Sequence, residues 1–162
     1  PNGEKAYLPY SPQSFYYNND VIKREQDYDH AKELLPDGFT EVTIKTLKKY
    51  RTTADVIAAS WKHIGIKTNI EEVDTLPDTF QIFLGDFTIP KDPDQYTLWH
   101  SGQVNNITKY KNLRIDKLLE DGRKTIDVKE RKEIYADFQR FLAEDAPASF
   151  LYFPYEYDLV RK

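Results

Sequence analysis

Apolar and polar residues alternate along the first half of the chain in a pattern that predicts strands around a helix. Val42 and Ile44 alternate with Thr43 and Lys45, which is the period of a half-buried strand over 41–47. The extended pattern returns at 66–73 and again at 80–84. A strand, a helix and a strand in this order predict a parallel crossover, and therefore the α/β class.

The predicted helix between the first two strands covers 53–64. One helical stripe contains its larger apolar residues and one serine: Val56, Ile57, Ser60, Trp61 and Ile64. Gly65 follows where a left-handed C-terminal cap is expected. A shorter helix earlier in the chain is predicted to have Asp29 as its cap and one face of Ala31, Leu34 and Leu35, before Pro36-Asp37-Gly38 ends it.

Two more helices are predicted in the second half. Ile115, Leu118, Leu119 and Gly122 mark the first, and Asp127 with Glu130 forms a capping-box pattern for the second. The buried stripe of the second helix is predicted to be Ile134, Tyr135, Phe138, Phe141 and Leu142. Ala146-Pro147 ends it, and 149–153 is β-prone. Together the elements predict a mixed sheet flanked by helices.

The first 27 residues contain prolines and aromatic residues without a period. They are predicted to be an extended linker or hinge-return segment lying on the domain that 28–162 form, so that the whole is a single domain. Aromatic residues concentrate at the two ends: Tyr7, Tyr10, Phe15, Tyr16, Tyr17, Phe150, Tyr152, Phe153, Tyr155 and Tyr157. We expect some of them to be exposed.

Composition narrows the function. The chain has 23 Lys and Arg against 27 Asp and Glu, a net charge of -4, so nucleic acid is not an expected partner. Cysteine is absent, and the histidines lack the spacing of a metal site, so no cofactor or metal is expected. The start at Pro1-Asn2-Gly3 and the absence of methionine suggest a fragment from the interior of a longer protein.

Four sequence segments, in a specific order, indicate a family. They are Tyr28-Asp29-His30-Ala31-Lys32-Glu33-Leu34-Leu35, Trp61-Lys62-His63-Ile64-Gly65-Ile66-Lys67, Asp92-Pro93-Asp94-Gln95-Tyr96, and Ile115-Asp116-Lys117-Leu118-Leu119 through Asp145-Ala146-Pro147. From about Tyr28 to Lys162 the chain resembles the C-terminal lobe of the family 5 extracellular solute-binding proteins, the oligopeptide and dipeptide receptors of ABC importers.

The resemblance implies one lobe of a type II periplasmic-binding-protein fold. In that family two lobes, joined by two crossing segments, close on a ligand like a hinge. The expected partners are a peptide or similar small solute, an ABC permease in the membrane, and the missing N-terminal lobe. The expected location is extracytoplasmic, in the periplasm or at the cell surface, through a lipid anchor or secretion signal outside these residues. No catalysis is expected.

By the same resemblance, the loop that begins at Gly85 lies at the edge of the cleft where peptide receptors hold the ligand main chain. The residues it suggests as ligand contacts are Asp86, Phe87, Asp92, Asp94, Tyr96, Trp99, His100 and Asn106. Peptide receptors of this family commonly have an acid shortly before the Asp-Pro pair, which binds the ligand's amino group. Ile89-Pro90-Lys91 contains no acid, and Asp86 is the candidate substitute.

Each candidate also has a structural interpretation. Asp92 and Asp94 could only shape a proline turn, and Tyr96 and Trp99 could be packing residues. His100 beside Ser101 resembles a base and nucleophile, but neighbours in an extended segment point to opposite faces. Two other functions are open: a carboxylate-dependent hydrolase using Asp86, Asp92 and Asp94, and a free-standing protein-interaction module that binds through the terminal aromatic residues.

Overall fold

A computed structural model describes residues 3–90, 92–155 and 157. The described strands are β1 (Gly3–Lys5), β2 (Glu41–Leu47), β3 (Lys67–Val73), β4 (Ile82–Leu84) and β5 (Tyr152–Pro154). The described helices are α1 (Tyr28–Leu34), α2 (Arg51–Lys62), α3 (Tyr96–Trp99), α4 (Leu113–Lys124) and α5 (Val128–Asp145). A single 3-10 turn, Lys48–Tyr50, precedes α2.

Contacts divide the chain into two compact units. The central unit is 25–88, and the terminal unit combines 1–24 with 89–162. The sequence places a segment boundary at residue 27 and assigns 28–162 to one lobe. That assignment stays a prediction, and Lys91, Glu156 and 158–162 lie outside the described residues. Among the described residues, no helix is both long and apolar enough to cross a bilayer.

The central unit is built on a three-stranded parallel sheet. Its strand order is β3-β2-β4, with Ile44 opposite both Ile70 and Ile82. Val42, Ile44 and Thr46 of β2 are buried, as the alternating pattern predicts. The prediction of a strand, a helix and a parallel strand is therefore confirmed. The last strand is shorter than predicted, because only 82–84 of 80–84 pairs with β2.

The two helices of the central unit differ in detail from their predictions. Helix α2 begins at Arg51, its buried residue is Ala54, and Val56 of the predicted stripe is 66% exposed. Gly65 adopts φ +84°, which confirms the left-handed position after α2. Helix α1 is capped by Asp27, not by Asp29, because the Asp27 side chain accepts the His30 N–H. Leu34, predicted to face inward, is exposed.

Helices α4 and α5 pack against each other in the terminal unit. Most of each predicted stripe is buried, and Leu118, Ile134 and Phe141 are half-buried. Asn112 and Asp127 cap the helices by accepting backbone N–H groups of the first turn. Ala146 ends α5 in the left-handed region, at φ 46°, and Pro147 prevents the helix from continuing. The core contains apolar residues from α3, α4 and α5 and from the N-terminal segment: Leu8, Tyr10, Tyr17, Val21, Trp99, Ile115, Leu119, Tyr135, Phe138 and Leu142.

Segments near the two ends of the described chain pair with each other. Strands β1 and β5 form a separate antiparallel ribbon, with Gly3 opposite Pro154 and Lys5 opposite Tyr152. The final strand is thus 152–154, displaced from the predicted 149–153. The N-terminal segment contributes Leu8 and Tyr10 to the core, so it is a structural part of the terminal unit. Of the terminal aromatic residues, Phe15, Tyr155 and Tyr157 are exposed, as expected.

Candidate ligand-binding site

An ion pair at the carboxyl edge of the parallel sheet joins the ends of two neighbouring strands. The Lys49 ammonium is 3.0 Å from Oδ1 and 3.1 Å from Oδ2 of Asp86. Lys49 follows β2 and Asp86 follows β4, and the pairing of Thr46 with Leu84 brings the two positions together. Thr46, which is buried, donates its hydroxyl to the Leu84 carbonyl at 3.2 Å and so fixes this edge.

Tyr50 completes the surroundings of the Lys49 ammonium. The ammonium lies 4.9 Å from the centroid of the Tyr50 ring. The hydrogen bond to Asp86 is the main cause that raises the pKa of Lys49 above its ordinary value. Burial, and then the Asp86 carboxylate, raise the pKa of the Tyr50 phenol. The ammonium thus contacts both an acid and an aromatic face.

Asp86 and Phe87 are the predicted site residues of the central unit, and both are accessible. The Asp86 side chain is 51% exposed and Phe87 is 42% exposed. They are consecutive in the loop that leaves β4 at the carboxyl edge of the sheet. Ligands of open α/β sheets bind beyond the carboxyl ends of the strands, so the location of both side chains is suitable for ligand contact.

The other six candidates lie in the terminal unit, where the two aspartates are paired with arginines. Asp92 accepts two hydrogen bonds from Arg131, at 2.8 and 3.1 Å, in a bidentate arrangement. Asp94 lies 3.0 Å from Nε of Arg123. Asp92 also accepts the Asp94 N–H, and Asp94 accepts the Tyr96 N–H, both at 2.9 Å. These bonds shape the turn around Pro93.

The electrostatics of the Asp92 pair favour the charged forms of both partners. The hydrogen bonds from Arg131 are the main cause that lowers the pKa of Asp92, and those bonds in turn raise the pKa of Arg131. Arg131 also donates from Nε to the Gly122 carbonyl at 2.8 Å. Arg131 therefore attaches the Asp92 turn to both α4 and α5.

Tyr96 and His100 form a partly exposed aromatic pair on α3. Their ring centroids are 4.2 Å apart and the rings are tilted by 30°. The Arg123 guanidinium lies 4.6 Å from the centroid of the Tyr96 ring. The same guanidinium pairs with Asp94. His100 Nε2 is 3.5 Å from Glu120. The ring surface that Tyr96 can offer to a ligand is thus shared with Arg123.

Trp99 and Asn106 are buried and form hydrogen bonds within the chain. Trp99 is 5% exposed, donates from Nε1 to Gln95 at 2.9 Å, and its ring packs edge-on against Phe150. Asn106 donates to the Tyr110 carbonyl at 2.8 Å and accepts from Thr108. Both side chains stabilise the segment that connects α3 and α4, and neither offers much surface to a ligand.

The candidates thus form two groups in different units. Asp86 and Phe87 lie in the central unit, and the other six candidates lie in the terminal unit. Sequence reasoning missed Lys49 and Tyr50 beside the first group, and Arg123 and Arg131 beside the second. The signal that could have suggested Arg131 was its helical spacing from Tyr135, which places both on one face of α5.

A cavity and the arrangement of possible metal ligands in the described residues also bear on the location of the site. A shallow cavity of about 120 Å³ in the terminal unit contains none of the predicted residues; it is lined by Tyr7, Ile22, Arg24, Leu142, Ala143, Ala146, Ala148, Ser149 and Phe150. No group of three or more His, Asp or Glu side chains in the described ranges is arranged to hold a metal ion.

Comparison with known proteins supports the resemblance seen in the sequence. No protein-family model matches the chain. The curated oligopeptide-binding protein AppA of Bacillus subtilis is 31% identical over 94% of the chain, and the match covers 34% of AppA. Heme-binding protein A of Haemophilus influenzae is 26% identical over 90% of the chain and is covered over 31% of its length.

Solved structures give the same result for the fold. The structure of B. subtilis AppA in complex with a nonapeptide matches with a TM-score of 0.83 and 30% identity, over 94% of this chain and 37% of that one. The periplasmic binding protein DppA of Helicobacter pylori, in complex with the peptide STSA, matches with a TM-score of 0.77 and 28% identity, over 94% of this chain and 34% of DppA. The chain therefore spans about a third of each relative, and both the α/β fold and the resemblance to oligopeptide-binding proteins are confirmed.

Proposed function

We propose that this chain is one lobe of the substrate-binding component of an ABC importer, which captures peptides or similar small solutes. The observation that supports this most directly is the match to B. subtilis AppA, at 31% identity over 94% of the chain with a TM-score of 0.83. The relatives are named for binding and not for catalysis. The match to heme-binding protein A has lower identity, so peptides are the proposed ligand class and heme the alternative.

We infer that the ligand contacts the carboxyl edge of the parallel sheet, at Asp86 and Phe87. A carboxylate can hold a peptide ammonium through charge-assisted hydrogen bonds, and an exposed phenylalanine ring can pack against an apolar side chain. Tyr96 and His100 are the second candidate contact, because their rings are partly exposed. Asp92 and Asp94 would contribute by holding the turn before α3.

The expected partners and location follow from the same proposal. A receptor of this type delivers its ligand to an ABC permease, and the remaining two thirds of the protein would include the N-terminal lobe. The H. pylori relative is named a periplasmic binding protein, which supports an extracytoplasmic location. A lipid anchor or a secretion signal outside these residues is part of the proposal.

The pKa of Asp92 argues against this residue as the general acid of a carboxylate-dependent hydrolase. A general acid near neutral pH needs a carboxyl group whose pKa is raised. Arg131 instead lowers the pKa of Asp92 and holds it charged. The interaction-module alternative would use exposed aromatic residues such as Phe15 and Tyr155, and a binding experiment with peptides and variants separates it from the receptor proposal.

The experiment is an NMR titration of the 162-residue chain with short, unmodified peptides. Backbone amide shifts are followed as the peptide pool is raised to roughly 10 mM, above the weak affinity expected for a partial site. We expect the largest shifts at 85–87, with a second group at 92–100. Hemin is titrated in parallel as the alternative ligand.

Two acidic variants provide the matched comparison. Asp86→Asn should weaken the response to peptides, because it removes the charge that would bind the ammonium. Asp78→Asn removes a charge from another exposed acid of the central unit and should leave the response unchanged. Shifts that concentrate on Phe15 and Tyr155, or equal responses of both variants, would contradict this site.

A further inference from the structure

The side chain of Lys49 is placed as a ligand's ammonium group would be. A carboxylate and the face of an aromatic ring are the groups that bind alkylammonium ions in proteins. Asp86 provides the first, 3.0 Å from Nζ, and Tyr50 the second, with its ring centroid 4.9 Å from Nζ. The chain therefore contains an ammonium site that its own lysine occupies.

This pair can exchange with a ligand. The side chains of Lys49 and Asp86 are 58% and 51% exposed, so another ammonium ion can reach the carboxylate from solvent. Exposed ion pairs are weak because water and salt screen them. The backbone before Lys49 and Asp86 is held in place, because β2 and β4, the strands that precede these two residues, are hydrogen-bonded to each other. Asp86 thus stays in place when the flexible lysine side chain leaves.

We propose that Lys49 is a tethered competitor, which a ligand's primary amine must displace from the Asp86 carboxylate and the Tyr50 ring. This inference rests on the proposed function insofar as it takes the ligand to be a peptide, and it assigns the ligand's free amine to Asp86 and Tyr50. A tethered group competes with an effective concentration set by its linker. Lys49 therefore lowers the affinity for amines in general and selects ligands that have additional contacts.

The direct test uses n-butylammonium chloride, which requires no peptide-binding function. The variant is Lys49→Met, which keeps a long side chain and removes the charge. The measured signals are the Asp86 carboxyl carbon and the Tyr50 ring in NMR spectra, with sodium chloride at equal ionic strength as reference. We expect the midpoint of the titration to be roughly two- to fivefold lower in Lys49→Met than in the wild-type chain, the gain expected from removing an exposed pair.

Two lysine variants control for charge and for side-chain chemistry. Lys48→Met removes a neighbouring charge from the same turn and should keep the wild-type midpoint. Lys49→Arg retains a tethered cation and should also remain near wild type. No response of Asp86 and Tyr50 in Lys49→Met, or equal midpoints in Lys49→Met and wild type, would overturn the inference.

A peptide arm separates this inference from the proposed function. The wild-type chain and Lys49→Met are titrated with one peptide in two forms, with a free and with an acetylated amino terminus. We expect Lys49→Met to bind the free form about two- to fivefold more tightly and the acetylated form unchanged. A loss of affinity for both forms would make Lys49 a direct ligand contact and overturn the inference. If neither form binds to any variant, the proposed function fails, and the butylammonium result still decides the role of Lys49.

Discussion

Arginine side chains determine what the aspartates around Pro93 can do. Arg131 binds Asp92 through both guanidinium nitrogens, and Arg123 lies beside Asp94. A carboxylate in a bidentate pair has little capacity left for another cation. Each of these aspartates also accepts a backbone N–H two residues ahead. Their charges therefore stabilise a turn and the start of α3, whereas Asp86 forms its pair with an exposed lysine.

The ion pair between Asp92 and Arg131 makes the free energy of unfolding depend on pH. Arg131 lowers the pKa of Asp92 in the folded chain, so the pair stabilises above the unfolded pKa of about 3.9 and loses this effect as the pH falls through the folded pKa. Because Asp92 is more than half exposed, screening limits the effect. We expect Asp92→Asn to lower the free energy of unfolding at pH 7 by about 0.5–1 kcal/mol, measured by urea denaturation.

The same measurement at lower pH tests the cause. The difference between wild type and Asp92→Asn should shrink as the pH falls below about 3.9, because the carboxyl group then binds a proton in the unfolded chain before it does so in the folded chain. Asp29→Asn is the control, since Asp29 is almost fully exposed and its oxygen is 4.0 Å from the Lys32 ammonium. A difference for Asp92→Asn that is the same at pH 7 and pH 3 would show that its origin is not the ionised pair.

The contact between α4 and α5 depends on Gly122, a glycine in the last turn of α4. A Cβ atom at Gly122 would lie 2.7 Å from Cζ and 2.9 Å from the hydroxyl of Tyr135, a ring that is completely buried. Arg131 of α5 also holds the two helices together here, because its guanidinium donates a hydrogen bond to the Gly122 carbonyl of α4. Gly122 costs α4 some intrinsic helix stability, and the close packing of the buried ring offsets that cost.

Gly122→Ala should therefore destabilise the chain although alanine is the better helix former. The added methyl group overpacks against Tyr135, and we expect the free energy of unfolding to fall by about 1–3 kcal/mol. Thermal and urea denaturation measure this. Gly102→Ala is the matched control, because the nearest atom to its Cβ would be at 3.4 Å, on the His100 side chain. A Gly122→Ala variant as stable as wild type would mean that α4 and α5 can move apart without cost.

Periodicity predicted α4 and α5 well and α2 less well, for a physical reason. One face of α5 is buried by large side chains, so Tyr135, Phe138 and Leu142 give a clear period. The buried residue of α2 is Ala54, whose small side chain gives almost no signal, while Val56 is exposed. Gln139 shows the opposite case: it is polar and yet buried, because it bonds to the Tyr16 and Tyr135 carbonyls.

The partners of the candidate site residues could not be read from spacing along the sequence. Lys49 and Asp86 are 37 positions apart, and Asp92 and Arg131 are 39 apart. The first pair depends on the register of β2 with β4, and the second on where the Asp92 turn contacts α5. The sequence predicted Asp86 as a ligand contact in the loop after Gly85, and that role stays a prediction; the structure shows that its side chain is accessible. The sequence could not predict that an arginine or a lysine would already occupy each carboxylate.

At the scale of the whole molecule, the chain matches only part of each relative. It spans about a third of the length of AppA and of DppA, and its described terminal segments pair as the ribbon of β1 and β5. A Cβ atom added to Gly3 would lie 2.5 Å from the Phe153 carbonyl oxygen, so the two strands of this ribbon are very close at that point.

The proposed function also predicts how tightly the isolated chain binds. Sites that hold small ligands tightly bury most of the ligand surface. A single lobe provides part of those contacts, while the entropy cost of capturing the ligand is unchanged. We therefore expect a dissociation constant of roughly millimolar or weaker for peptides on the 162-residue chain, and micromolar or tighter on the complete gene product.

Calorimetric titration of a mixed peptide library into both proteins measures this difference. Asp86→Ala in the complete protein should weaken binding, because the ligand ammonium would lose its carboxylate, while Asp78→Ala should have no effect. Trp99→Ala is unsuitable as a site variant, since Trp99 is buried and its loss would lower stability directly. Micromolar binding by the isolated chain would show that this lobe contains a complete site, and the proposal that it supplies only part of the contacts would then be wrong.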